Sequence, residues 1–234
     1  MREFIEEVRK NQNIKVPKTV APLVCKPVNI EPWRIFQIMS EFASGFEVIQ
    51  KYGLVATFFG SARCSMSDEI YKSAEELAGK LAVRGFTIIT GGSHGVMEAA
   101  NKGAFEAGGQ SVGMNIDLPN EQTSNPYLTE SVSFDHFFSR KVMLAFAAEV
   151  YIYYPGGFGT MDELFEILTL IQTKKIKPVP VVLVGKAYWQ PILDLIDSHF
   201  VKGYKTISKE DVNLYKLVDS VDDAYEYIVE NAKC

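Results

Sequence analysis

"FTIITGGSHGVMEAANKGAFEAGGQSVGMNI", residues 86–116, decides the fold. A β-rich run (86–90) ends on Gly91-Gly92, a helical pattern covers about 95–108, and Gly108-Gly109 closes it before a second β-rich run at 111–116. Glycines just past a helical pattern are the usual C-terminal stop. Ala99, Ala100, Gly103 and Ala104 make one helical face small, so the helix can lie close against a sheet. Both β-rich runs are almost continuously apolar, the pattern of strands covered on two faces. Strand, helix, strand in about thirty residues is the crossover unit of a parallel sheet.

The unit repeats outward. Further strands are expected at 54–59 (LVATFF), 150–154 (VYIYY), 179–184 (VPVVLV) and 214–218 (LYKLV). Helices are expected at about 67–84, 138–148, 160–174, 188–200 and 221–231. Ser67 with Asp68 and Glu69, and Asp219-Ser220 with Asp222 and Asp223, have the chemistry of helix starts. The alternation predicts an α/β fold, a doubly wound and mostly parallel sheet flanked by helices, in one domain over 31–234. Residues 1–30, with VPKTVAPLVCKP, lack periodicity and read as an irregular arm. Across 31–52, Ile35, Ile38, Met39, Phe42, Phe46 and Ile49 recur at helical spacing; this stripe should pack on the sheet or on a second subunit.

Composition narrows the function. The 234 residues carry a net charge of −5, so no general electrostatic trap for nucleic acid exists. Lys174, Lys175 and Lys177 read as the cationic last turn of a helix before Pro178. Three widely spaced cysteines without a CxxC pair favour reduced thiols in the cytoplasm over a disulfide framework or zinc site. His94, His136 and His199 share no metal-ligand spacing. The start, MREFIEEVRK, lacks the apolar core of a signal peptide, and no apolar run approaches the ~20 residues that span a bilayer.

Glycine turns follow three of the expected strands: FFGSAR (58–63), TGGSHG (90–95) and YPGGFGT (154–160). In open α/β sheets ligands bind beyond the carboxyl ends of the strands, and amides bared by glycine cradle phosphate there. The expected contacts are Ser61 in the first turn, Gly91 and Gly92 in the second, and Gly156, Gly157, Phe158, Gly159 and Thr160 in the third. This third turn is not a P-loop, because no lysine precedes Thr160. Asp162, Glu163 and Glu166 follow at once, and acids repel the anion that the turn attracts. Thr160 and Glu163 fit a capping box, which would explain Glu163 structurally. Alternatively Glu163 serves a different part of the same ligand. Arg140 and Lys141 fall in the first turn of a helix, where cations sit badly unless an anion is met there; a solvated turn is the other reading. Glu121, in the polar loop DLPNEQTSNPY (117–127), is a surface acid or an acceptor for a base's amino group.

Taken together, PGGFGTMDE (155–163), SRK (139–141), TGGSHGVMEAANKGA (90–104), FFGSAR and LPNEQTSNPY (118–127) resemble the Lonely Guy (LOG) family. These are cytokinin riboside 5′-monophosphate phosphoribohydrolases and related bacterial nucleotide hydrolases. EPWRIFQIMSEFASGF (31–46) resembles the N-terminal helix of the longer bacterial members. The resemblance implies a Rossmann-like fold and a usually dimeric enzyme cleaving the N-glycosidic bond of a nucleoside 5′-monophosphate, without cofactor. It also implies Arg140 and Glu163 as the catalytic pair, the 156–160 turn on phosphate and ribose, Lys141 assisting, and Glu121 facing the base. The chain departs from the plant pattern in FDHFFSRK and in the longer EQTSNPY loop, which leaves AMP as plausible a substrate as a cytokinin nucleotide. The family's lysine decarboxylase label fits poorly, since Gly95 follows His94 and no Schiff-base lysine context is present. A non-catalytic nucleotide or cofactor carrier on the same fold is the competing reading. An NAD(P) oxidoreductase lacks its fingerprint at FGSARCS.

Overall fold

The computed structural model describes residues 31–118 and 124–232. Contacts group Ile35–Cys234 into one unit and Met1–Arg34 into another; residues 1–30, read above as an arm, lie outside the described part.

The chain runs α1 (Trp33–Ile49), β1 (Val55–Phe59), α2 (Glu69–Val83), β2 (Thr87–Thr90), α3 (Val96–Glu106), β3 (Ser111–Ile116), β4 (Glu130–Phe134), α4 (Phe137–Phe146), β5 (Val150–Tyr153), α5 (Phe158–Gln172), β6 (Val181–Val184), α6 (Lys186–Leu195), β7 (Lys216–Val218) and α7 (Val221–Asn231). A π-helical stretch, Ile196–Gly203, continues α6 and replaces the single helix expected over 188–200. All seven strands pair in parallel in the order β4-β3-β2-β1-β5-β6-β7.

Strands β1, β2, β5 and β6 are buried along their whole length, which explains their unbroken apolar runs. Ala56 and Phe58 join a core with α2, α3 and α7, while Val55 and Phe59 join a second core with α1, α4, α5 and α6. The sheet is therefore doubly wound. From β1 the chain builds outward through β2, β3 and β4, then returns to the other side of β1 with β5. The turns leaving β1 and β5 diverge at that reversal and open a crevice, where ligands of such sheets bind.

The structure departs from expectation at β4 and at the start of α2, and it divides the apolar stripe of α1. Strand β4 was not expected; Ser131 and Ser133 face outward while Glu130, Val132 and Phe134 take the more buried face, so its alternating, polar sequence hides an edge strand. On α1 the buried seam is Glu41, Gly45 and Val48, flanked by Phe42 and Ile49. Ile35, Met39 and Phe46 of the apolar stripe are exposed, so of the two expected packings the sheet side takes only part of the stripe. Helix α2 starts at Glu69, with Asp68 as N-cap and its carboxylate taken by the Ser65 amide, rather than at Ser67. At α7, Ser220 caps as expected, accepting from the Asp223 amide at 3.0 Å.

Candidate active site

A cavity of about 880 Å³ opens at the β1/β5 reversal. Its wall takes Gly60, Ser61 and Arg63 from the turn after β1, Gly91 from the turn after β2, and Gly156 through Glu163 from the turn after β5 and the start of α5. Arg140 and Phe137 enter from α4, Tyr188 from α6 and Met97 from α3. Neighbouring strand ends thus bring the three glycine turns to one hollow.

The turns are tightly fitted. A Cβ on Gly156 would lie 2.1 Å from Thr160 Oγ1 and 3.1 Å from the Gly60 carbonyl carbon. The Gly156 carbonyl also accepts a hydrogen bond from the Tyr188 hydroxyl. A Cβ on Gly91 would come within 2.7 Å of Met97 Sδ and 3.4 Å of Arg140 Nη2, so the absent side chain leaves room for the guanidinium. Gly157 and Gly159 have nothing within 4 Å of their Cβ positions and face open space. Gly92 is not on the cavity wall; at φ +70° it packs against Asn115 and Gly113 and shapes the turn from behind.

Helix α5 begins at Phe158, with Gly157 as N-cap and no side-chain cap. Its first intrahelical bond runs from the Met161 amide to the Gly157 carbonyl at 3.1 Å. The first-turn amides before it have no partner within the helix and carry the positive end of its dipole. Thr160 is thus inside the first turn, and the capping-box reading of Thr160 with Glu163 does not hold.

Glu163 is instead buried, 6% exposed, on the cavity wall, and its Oε2 has no hydrogen-bond partner among the described residues. Burial pushes its carboxyl up to about 7; Lys141 and Arg140 pull it down, while Glu166 and Asp162 push it up. Such a group is poised between its two forms near neutrality. Arg140 Nε is likewise buried and unpartnered, and the guanidinium carbon lies 5.9 Å from the centre of the Phe137 ring. Desolvation lowers the Arg140 pKa and Glu163 opposes that shift. Lys141 is off the cavity wall; its Nζ lies 2.6 Å from Asp162 Oδ2 and 3.1 Å from Glu166 Oε2, tying α4 to α5. Glu121 lies outside the described residues. Arg63, Phe137 and Tyr188 had not been expected in the site. Arg63 had a signal, since it ends the FFGSAR turn, but nothing local marks Tyr188 in a helix after β6.

Fold and cavity define a Rossmann-like α/β protein with a pocket at its switch point, lined by glycine turns, a helix start, Arg140 and the buried Glu163. The family model described as "Possible lysine decarboxylase" matches residues 97–228, more than half of the chain, which therefore belongs to that family, the LOG family. Its relatives include the cytokinin riboside 5′-monophosphate phosphoribohydrolase LOG of Oryza sativa, 27% identical over 66% of this chain and 64% of that protein. LOG5 of Arabidopsis thaliana is 30% identical, over 67% and 69%. The corresponding enzyme of Rhodococcoides fascians is 28% identical, over 64% and 77%. This chain thus spans just under two thirds of the rice relative. Among solved structures, TM1055 superposes with a TM-score of 0.59 at 25% identity, over 76% of this chain and 99% of its own. A molybdenum cofactor carrier protein of Chlamydomonas reinhardtii gives 0.55 at 23% and shares the fold, over 76% and 99%.

Proposed function

We propose that the protein hydrolyses the N-glycosidic bond of a nucleoside 5′-monophosphate, AMP or a cytokinin riboside monophosphate, releasing free base and ribose 5-phosphate. The observation that carries this reading is the buried, unpartnered Glu163 carboxyl one helical turn along from the bare amides of the 156–160 turn, in one cavity with Arg140. A substrate with a dianion at one end and a carbon that becomes cationic at the other uses both. One helical turn, about 5.4 Å, suits the span from 5′-phosphate to anomeric carbon.

In this mechanism the amides of Phe158–Thr160 hold the phosphate, with Ser61, Gly91 and the Thr160 hydroxyl around it. Glu163 lies beneath the ribose and stabilises the oxocarbenium-like transition state as the C1′–N bond breaks and its electron pair leaves with the base. A water held by Glu163 forms the new C1′–O bond and gives up one proton, which balances the proton gained by the base. Arg140 cannot donate that proton; its fork holds the phosphate or the carboxylate. Lys141 keeps Asp162 and Glu166 from facing the anion uncompensated, and Glu121 reads the base. The enzyme works in the cytoplasm as a homodimer; the exposed Ile35, Met39, Phe46 and Phe146 on α1 and α4 support a self-association face.

The test is incubation with a panel of nucleoside 5′-monophosphates, following release of ribose 5-phosphate, with the unphosphorylated nucleosides as controls. Phosphate-dependent release supports the reading. Tight nucleotide retention with no release would assign a carrier instead.

A further inference from the structure

Helix α4 carries Arg140 but is badly equipped to start. Its first turn holds no acid, its N-cap His136 makes no side-chain capping bond, and Arg140 and Lys141 follow at the positive end of the dipole. The missing anion comes from α1. Glu41 is 9% exposed, and its Oε1 accepts from the Asp135 amide at 3.0 Å and pairs with His136 Nδ1 at 2.9 Å. Its Oε2 accepts from the buried Ser139 hydroxyl. Ser139 immediately precedes Arg140. One turn further along both helices, a Cβ on Gly45 would lie 2.5 Å from Met143 Cγ and Sδ, so α1 and α4 also touch at a point where any larger residue would have to displace Met143.

We infer that Glu41 is a positioning residue, a helix cap supplied from α1 that fixes the rotation and height of α4 and so aims Arg140 into the cavity. Glu41 lies outside residues 97–228, the part of the chain matched by the family model. Its carboxyl is held below the usual range: burial alone would raise it, but the bonds from Ser139, His136 and the Asp135 amide outweigh that. A buried acid kept ionised by three donors at a helix start is a fixed charge, and a fixed charge can hold a helix in register.

The kinetic part of the test rests on the hydrolase reading; its spectroscopic part does not. Glu41→Gln keeps the shape and removes the charge. It should lower kcat/KM for AMP about tenfold in the otherwise unaltered enzyme but less than about twofold in an Arg140→Ala background, since residues acting through one another do not add. Ser139→Ala, which removes one donor, should show the same pattern with a smaller loss. In parallel, the Arg140 Nε–H signal in nitrogen-15 spectra, assigned by its disappearance in Arg140→Lys, should move in both Glu41→Gln and Ser139→Ala. Equal losses in the two backgrounds, or an unmoved Arg140 signal beside a lowered melting temperature, would reduce Glu41 to a structural residue. Should the unaltered protein cleave no nucleotide, the hydrolase reading falls and the Arg140 signal alone decides the positioning role.

Discussion

Glu163 Oε2 and Arg140 Nε are both buried on the wall of one cavity, and neither has a hydrogen-bond partner among the described residues. Leaving a buried charged group unmatched costs several kcal/mol. A fold tolerates that where a ligand completes the pairing, and the two residues reach the cavity from different helices, α4 and α5. Glu163→Gln should therefore cut kcat for AMP by about 10²-fold or more while changing its affinity by no more than about threefold, because the lost charge acts mainly in the transition state. Arg140→Ala should weaken binding and slow turnover together. Steady-state kinetics and calorimetric titration of the product ribose 5-phosphate check both; an unchanged Michaelis constant in Arg140→Ala would contradict its placement on the anion.

Glu163 should also make stability depend on pH. Its carboxyl titrates at about 7 in the folded chain against 4.5 as the ordinary value, so between those limits the folded state holds a proton that the unfolded state has lost. Stability from this group is fully present below about 4.5 and is lost as pH rises through 7. The shift corresponds to roughly 3 kcal/mol at most. Glu163→Gln lacks the penalty, so its melting temperature should exceed that of the unaltered protein by a margin that grows from pH 5 to pH 8. Calorimetric scans at the two pH values measure it; a constant margin would mean that the group is not desolvated.

These expectations depend on tertiary placement to different degrees, and so did their legibility. The glycine turns could be read because each follows an apolar strand, and the strand order then puts the turns after β1, β2 and β5 side by side. Glu163 could be singled out but not assigned. The pattern Thr160-Met161-Asp162-Glu163 suits a cap, and only the actual helix start at Phe158 removes that reading. Strand β4 was hidden because Glu130–Phe134 alternates like an exposed edge and owes its conformation to pairing with β3, Val112 to Glu130 through Ile116 to Phe134. Glu41 was invisible for a related reason. An acid within an apolar helix, like Glu47 six residues on, reads as solvated until the start of α4, almost a hundred residues away, is seen to close over it.

If Glu163 is the catalytic carboxyl group, Lys141 should bear on the rate at neutral pH. Its Nζ sits between Asp162 and Glu166, and its charge lowers the Glu163 pKa. If Glu163 acts as a carboxylate, kcat/KM should rise with pH along a limb centred near 7, the value of the free enzyme. The nucleotide's own second phosphate ionisation, near 6, falls about a unit lower and is separable. Lys141→Met leaves three acids within about a turn of each other and should move the enzymatic limb to higher pH and lower the alkaline plateau, where Asp162 and Glu166 then face the anion uncompensated. A limb that stays in place would disconnect Lys141 from Glu163.

Gly156 and Gly157 differ in what a side chain would meet: the first shapes the turn, the second faces the open cavity. At Gly156 an added methyl would meet Thr160 Oγ1 at 2.1 Å and Thr160 Cβ at 2.7 Å, so the turn or the start of α5 must shift. Gly156→Ala should lower stability by about 1–3 kcal/mol, as overpacking does, and abolish most activity by displacing Glu163 with its helix. At Gly157 the same methyl meets nothing within 4 Å, and the residue's φ of −95° suits alanine. Gly157→Ala should leave the melting temperature unchanged or slightly raised, since alanine restricts the unfolded chain. The methyl would nevertheless occupy space on the cavity wall where the phosphate has to approach the amides, so the Michaelis constant for AMP should rise about tenfold or more. Thermal melts and nucleotide kinetics on the two variants check this, and an undiminished affinity in Gly157→Ala would move the phosphate to another of the three turns.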